Sequence, residues 1–136
     1  MKSVLRDYLK GEGHDVEDMG PKQFDPADDY PYFAYPVAKN VAERPDSVGI
    51  LLCRSGQGVA MVANKVKGVR AALVWNTNMA AASREHNHAN VLCLASDYIG
   101  VAGAKQIIDR WLKSELSQEE RHLRRLQKVA DIEKEN

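Results

Sequence analysis

Three stretches of this sequence carry side chains able to do chemistry. The first is Cys53, followed by Arg54-Ser55-Gly56-Gln57-Gly58. Cys53 closes the most apolar run of the chain, and ligands of open parallel sheets bind beyond the carboxyl ends of the strands. Glycines there let the backbone turn tightly and aim N–H groups at one point, an arrangement suited to an anion or a developing oxyanion. A thiol so placed can have a lowered pKa and act as base or nucleophile. Composition alone favours the plainer reading, that Cys53 is one more small buried residue, as most cysteines in strands are. The loop lacks both the full dinucleotide fingerprint and the Lys-Ser/Thr of a P-loop. The second stretch is Arg84-Glu85-His86-Asn87-His88-Ala89-Asn90. His86 could exchange protons near neutral pH and Asn87 could hold a hydroxyl or carbonyl oxygen, but His and Asn are also ordinary in a helix C-cap. The third is Arg121-His122-Leu123-Arg124-Arg125, where Arg121 and Arg125 lie one helical turn apart and could clasp a phosphate, or simply form a solvated face. No metal site is expected, because His86 and His88 lack a third ligand nearby in sequence.

The elements that must position these residues alternate between helical and strand patterns. Val4, Leu5, Tyr8 and Leu9 mark one face of a first helix, stopped by Gly11 and Gly13. An extended segment is expected over 14–19, a loop over 24–33, and a helix over 32–43 that tolerates Pro36 only in its first turn. The runs 48–53, 69–75 and 91–94 are apolar without alternation, as strands buried on both faces of a parallel sheet are. Helices are expected between and after them at 59–65, 79–85 and 101–111. Ser117 and Glu120 suggest a capping box for a last charged helix. The pattern predicts a single-domain α/β fold over residues 1–136, a doubly wound, Rossmann-like parallel sheet with helices on both faces, and a frayed tail over 131–136.

Composition narrows the function classes. The 136 residues suffice for one core. Lys+Arg and Asp+Glu balance at 19 each, so nothing global attracts nucleic acid or an anionic membrane. No apolar run approaches the roughly 18 residues of a membrane span, and the N-terminus does not read as a signal peptide. Two cysteines without metal-type spacing suggest a reducing, cytoplasmic setting.

Taken in order, "GILLCRSGQGVAMVANKVKGVRAALVWN", "SREHNHANVLCL" and "RHLRR", with "GHDVEDMG" and Asp29-Tyr30-Pro31, resemble the type B ribose-5-phosphate isomerases and the related galactose-6-phosphate isomerase subunits. The resemblance spans nearly the whole chain. It implies an aldose–ketose isomerase, with ribose 5-phosphate and ribulose 5-phosphate as the expected pair and no cofactor. Cys53 would shuttle a proton between C1 and C2 through an enediolate, within a loop formed by Ser55, Gly56 and Gly58. His86 would open the sugar ring, Asn87 and Tyr30 would contact substrate, and Arg121 and Arg125 would hold the phosphate. The resemblance also implies a homodimer or tetramer whose sites borrow residues from a partner chain.

The sequence departs from the family in several places. Relatives begin with a strand and a "GxDHxG" loop, whereas Met1 here falls inside the first helix. The expectation is an unfilled slot between the 14–19 segment and the 48–53 strand, with either an upstream start or an impaired form acting as a sugar-phosphate-binding or hetero-oligomer subunit. Asp97 replaces a common Arg, which should weaken phosphate affinity or alter the preferred sugar. His88 replaces a common Asp. Val59 replaces the Glu that some relatives use as base, which favours the cysteine version of the mechanism.

Overall fold

The three apolar runs become three parallel strands in the computed structural model, which describes residues 1–136. They are β1 (Gly49–Cys53), β2 (Ala71–Leu73) and β3 (Val91–Ala95), in the order β1-β3-β2. Gly49 is in register with Val91, Cys53 with Ala95, and Ala71 with Val91. The helices are α1 (Lys2–Gly11), α2 (Pro31–Glu43), α3 (Gln57–Ala63), α4 (Thr77–Glu85), α5 (Val101–Lys113) and α6 (Glu120–Lys134).

Every residue of β3 is buried, which is why its sequence does not alternate. Leu92 and Leu94 point to one face and pack with Leu5 and Leu9 of α1, Ala80 of α4, and Ile107, Ile108 and Trp111 of α5. Val91 and Cys93 point to the other face and pack with Ala34, Ala38 and Val41 of α2 and Val59 and Ala63 of α3. The small alanines let α2 and α3 approach closely, and helices cover both faces, as the doubly wound pattern predicted.

Several expected boundaries move. The strand expected over 69–75 shrinks to Ala71–Leu73, although Val69 and Val74 are buried beside it. Pro31 takes the first helical position of α2, and Pro36 lies inside the helix rather than in its first turn. It removes the N–H that would bond the Tyr32 carbonyl; Tyr32 is exposed, so water can take that carbonyl. The capping box does not form. Glu119 is the N-cap of α6, the Ser117 hydroxyl accepts from the Glu119 N–H at 3.1 Å, and Glu120 pairs with Arg124 at 2.7 Å. Helix α6 continues through Lys134, across residues expected as a tail.

Residues 14–19 do not join the sheet. The His14 N–H donates to the Leu9 carbonyl, and the segment is held through side chains: Asp18 pairs with Lys2 and Arg6 at 3.1 and 3.2 Å. β1 is therefore an edge strand, paired with β3 alone, although its sequence is apolar throughout.

Candidate active site

Cys53 ends β1 and its side chain is half-buried. Its carbonyl accepts from the Ser96 N–H at 2.9 Å and the Ser96 hydroxyl at 3.2 Å, which ties this strand end to the end of β3. The chain then reverses through Ser55 and Gly56 into α3. Gly56 has φ +73°, a left-handed conformation that favours glycine, and a Cβ there would meet the Leu73 side chain and lie 3.3 Å from the Leu94 carbonyl carbon. This turn aims the Gly56 N–H at the Cys53 sulfur, 3.1 Å away. The Ser55 hydroxyl accepts from the Gln57 N–H at 3.3 Å. Gly58 leaves room for Tyr30, whose ring atoms would stand 2.5–2.8 Å from a Cβ at that position. Cys53, Ser55, Gly56, Gly58 and Tyr30 are thus one cluster at the carboxyl edge of the sheet.

Arg54 and Asp97 belong to the same edge. The Arg54 guanidinium pairs with the Asp97 carboxylate at 2.9 Å, and the Asp97 N–H donates to the Arg54 carbonyl. The carboxylate expected to repel a phosphate is countered by a cation adjacent to Cys53 in sequence. Sequence reasoning missed this pairing because 43 residues separate the partners.

His86 caps α4 at its C-terminus, and Asn87 follows it; both are exposed. The His86 ring stacks on His122 of α6, with centroids 4.5 Å apart and planes inclined by 30°. His122 is buried, and its Nδ1 lies 2.7 Å from the Ser117 hydroxyl. Burial lowers its pKa, opposed by the Glu119 carboxylate and reinforced by His86, Arg121 and Arg125. The neutral form of His122 is therefore favoured where its ring stacks on His86. With Arg125, Leu126 and Val129 these residues line a cavity of about 250 Å³. Arg121 does not line it, and its Nε is paired with Glu119 at 2.9 Å. Arg125 has no ion pair and faces the cavity alone.

His88 has a physical reason for its place. It adopts φ +48° in the turn that ends α4, its N–H donates to the Arg84 carbonyl, and its Nε2 lies 2.8 Å from the Ser117 carbonyl. The ring fastens the α4–β3 turn to the connector before α6. His86 and His88 thus face different neighbours, and no group of three or more His, Cys, Asp or Glu is placed to hold a metal.

The two clusters do not meet within one chain. α4 starts beyond the carboxyl end of β2 and returns to the start of β3, so His86 and Asn87 sit at the amino edge of the sheet. The Asn90 carbonyl accepts from the Gly49 N–H there, at the start of β1. Cys53 is four residues further along β1, about 13 Å at the rise of a strand.

An open parallel α/β sheet with a glycine loop and a half-buried thiol at one edge, and a His-Asn-Arg cavity at the other, is a Rossmann-like fold with two separate polar clusters. The family model described as Ribose/Galactose Isomerase matches residues 1–129, and the chain belongs to that family. It is similar to a probable ribose-5-phosphate isomerase B of Mycoplasma genitalium, 45% identical over 99% of this chain and 89% of the relative. It also resembles ribose-5-phosphate isomerase B of Mycobacterium tuberculosis, 37% identical over 98% of this chain and 83% of the relative. The crystal structure of the Mycoplasma genitalium enzyme with bound ribulose-5-phosphate superposes with a TM-score of 0.94, at 45% identity, over 99% of this chain and 89% of that one. Ribose-5-phosphate isomerase B of Clostridium thermocellum gives 0.93 at 42% identity, over 98% and 89%.

Proposed function

We propose that this chain interconverts ribose 5-phosphate and ribulose 5-phosphate, as a one-domain protein whose active sites lie between two subunits. Family membership and the ribulose-5-phosphate complex of a relative support the substrate. The observation that carries the subunit arrangement is the separation of the half-sites. One sugar phosphate cannot touch Cys53 and His86 of the same chain across the length of β1, but it can bridge the carboxyl edge of one chain and the amino edge of another.

In this reading His86, held against neutral His122, moves the proton that opens the sugar ring, while Asn87 holds a substrate oxygen. Cys53 as thiolate takes the proton from C2 of the open aldose, and the electron pair passes into an enediolate. The thiol then returns that proton to C1, giving the ketose once a second proton has passed between O1 and O2. The Gly56 N–H, 3.1 Å from the sulfur, fixes the direction in which the Cys53 side chain points. Ser55 and the backbone at Gly58, in the loop that follows the thiol, would donate to the enediolate oxygens, and Tyr30 packs against that loop. Arg125 binds the phosphate, and Arg121 joins it on leaving Glu119. Unpaired Cys53 and Cys93 favour work in a reducing compartment such as the cytoplasm, and the sugar-phosphate substrate pair is that of the pentose phosphate pathway.

Subunit complementation tests this. Cys53→Ala and His86→Ala should each abolish turnover of ribose 5-phosphate. Unfolding and refolding them together at equal concentration should restore about a quarter of native activity, because half the dimers are mixed and each carries one intact site of two. Two active single variants would remove the assigned residues. Two inactive variants that never complement would remove the shared site.

A further inference from the structure

The turn that carries His86 and Asn87 has a second face. Arg84, His88 and Asn90 point away from the His86 cavity and, with Arg70 of the β2 approach and Asp46 and Ser47 before β1, line a separate cavity of about 290 Å³. Both guanidinium groups are half-buried, and neither has a carboxylate within ion-pair distance. Each is held by one backbone carbonyl: Arg70 Nε donates to His88 at 3.0 Å and Arg84 Nη1 donates to Ala89 at 2.6 Å. The Arg84 Nε is buried without a partner, and the group lies over the Trp111 ring, 5.1 Å from its centre. Burial and the neighbouring Arg70 charge both lower the Arg84 pKa.

Two part-buried cations this close, without a counterion, are costly unless an anion joins them. The other polar side chains nearby are occupied: Asn90 bridges the Arg70 N–H and the Gly68 carbonyl, and the Ser47 hydroxyl donates to Arg44. The free donors are therefore the remaining guanidinium N–H groups, which suit an oxyanion better than a neutral polyol. The cavity is at the small end for ligand sites, which excludes a nucleotide.

We propose that Arg70 and Arg84 form a binding site for a small oxyanion, of the phosphate or carboxylate type, on the back of the turn that presents His86 and Asn87. The opposing charges are Asp46, on the lining itself, and Glu133, which accepts from the Gly68 N–H at 2.9 Å. The site stands independently of the isomerase reading, since its test measures binding and not turnover.

The test is calorimetric titration of the full chain with inorganic phosphate, at constant ionic strength, in an Arg121→Ala/Arg125→Ala background that removes the phosphate contacts of the active site. One saturable phosphate per chain should remain. Asp46→Asn, which removes a repelling charge without touching the core, should tighten it about threefold. Arg70→Gln should weaken it at least about tenfold. Malonate in place of phosphate tells the two oxyanion types apart, and saturation by either supports the site. No saturable binding of either anion, or binding that Asp46→Asn leaves unchanged, overturns the proposal even if Arg70→Gln fails to fold.

Discussion

Replacing Gly56 by alanine should damage the fold and the thiol together, and the size of the first effect can be worked out. The left-handed backbone at φ +73° costs a non-glycine residue about 1–2 kcal/mol. The new methyl group meets the Leu73 side chain, which can move, and stands 3.3 Å from the Leu94 carbonyl carbon and 3.4 Å from the Ala95 nitrogen, which belong to the central strand and cannot. Overpacking of this kind costs about 1–3 kcal/mol. The stiffer unfolded chain returns about 0.4–1 kcal/mol. The net loss is about 1–5 kcal/mol, a substantial part of an ordinary stability of about 5–15 kcal/mol. At roughly 3–4 °C per kcal/mol for a chain of this size, the melting temperature should fall by roughly 3–20 °C. Gly103→Ala is the internal control. It lies in α5 with no atom within 4 Å of a Cβ, so the same substitution should stabilise by about 0.5–1 kcal/mol. Urea unfolding of the three proteins, with isomerase assays of the folded forms, makes the comparison. If Gly56→Ala unfolds within about 0.5 kcal/mol of the parent, the turn is not constrained as argued.

Other outcomes follow from the same geometry. Cys53→Ala should lose turnover by at least about 10³-fold while binding ribose 5-phosphate nearly as well, because a base acts on the transition state and not on the ground state; a normal turnover number refutes the assignment. Because His122 has a lowered pKa when folded, the unfolded chain takes its proton first, near pH 6.5. This contribution to stability is complete above that pH and falls as the pH drops through the window down to the folded value. His122→Gln should flatten the slope of urea midpoint against pH between 7.5 and 5.5, and an unchanged slope would count against a buried neutral ring. Asp97→Asn breaks an exposed pair, so it should change stability by less than about 1 kcal/mol. By freeing the Arg54 charge it should also lower KM for the sugar phosphate, and a raised KM would show that Asp97 serves the site in another way.

Much of the fold was legible because helices cover both faces of its sheet, so the strands read as apolar runs while the helices keep one polar face. The continuous apolar runs at 48–53 and 91–94 have no other easy explanation in a chain this short, and the 3.6-residue pattern of α5 matches its buried residues Ala104, Ile107, Ile108 and Trp111. The thiol and glycine loop were legible because a left-handed turn and a close ring demand glycine locally. What stayed hidden depends on contacts distant in sequence. Ser117 resembles a cap, yet its hydroxyl is recruited by His122 and its carbonyl by His88. Arg121 and Arg125 share a helical face, but Glu119 captures one of them. The 14–19 segment reads as extended and finds no strand beside it, because β1 bonds only to β3. His122 appeared in the "RHLRR" string with no assigned part, since burial against another imidazole leaves no local signature.

The two cysteines differ in how far solvent reaches them. Burial, with a smaller push from the Cys53 charge, raises the Cys93 thiol to about 12, inside a strand enclosed on both faces. Cys53 is half-exposed at the mouth of the glycine loop. A stoichiometric alkylating dye therefore has a single address on the folded protein. Sugar phosphate bound against the loop should shield that address, so the rate at which the dye attaches would report ligand arrival without any cysteine being added or removed.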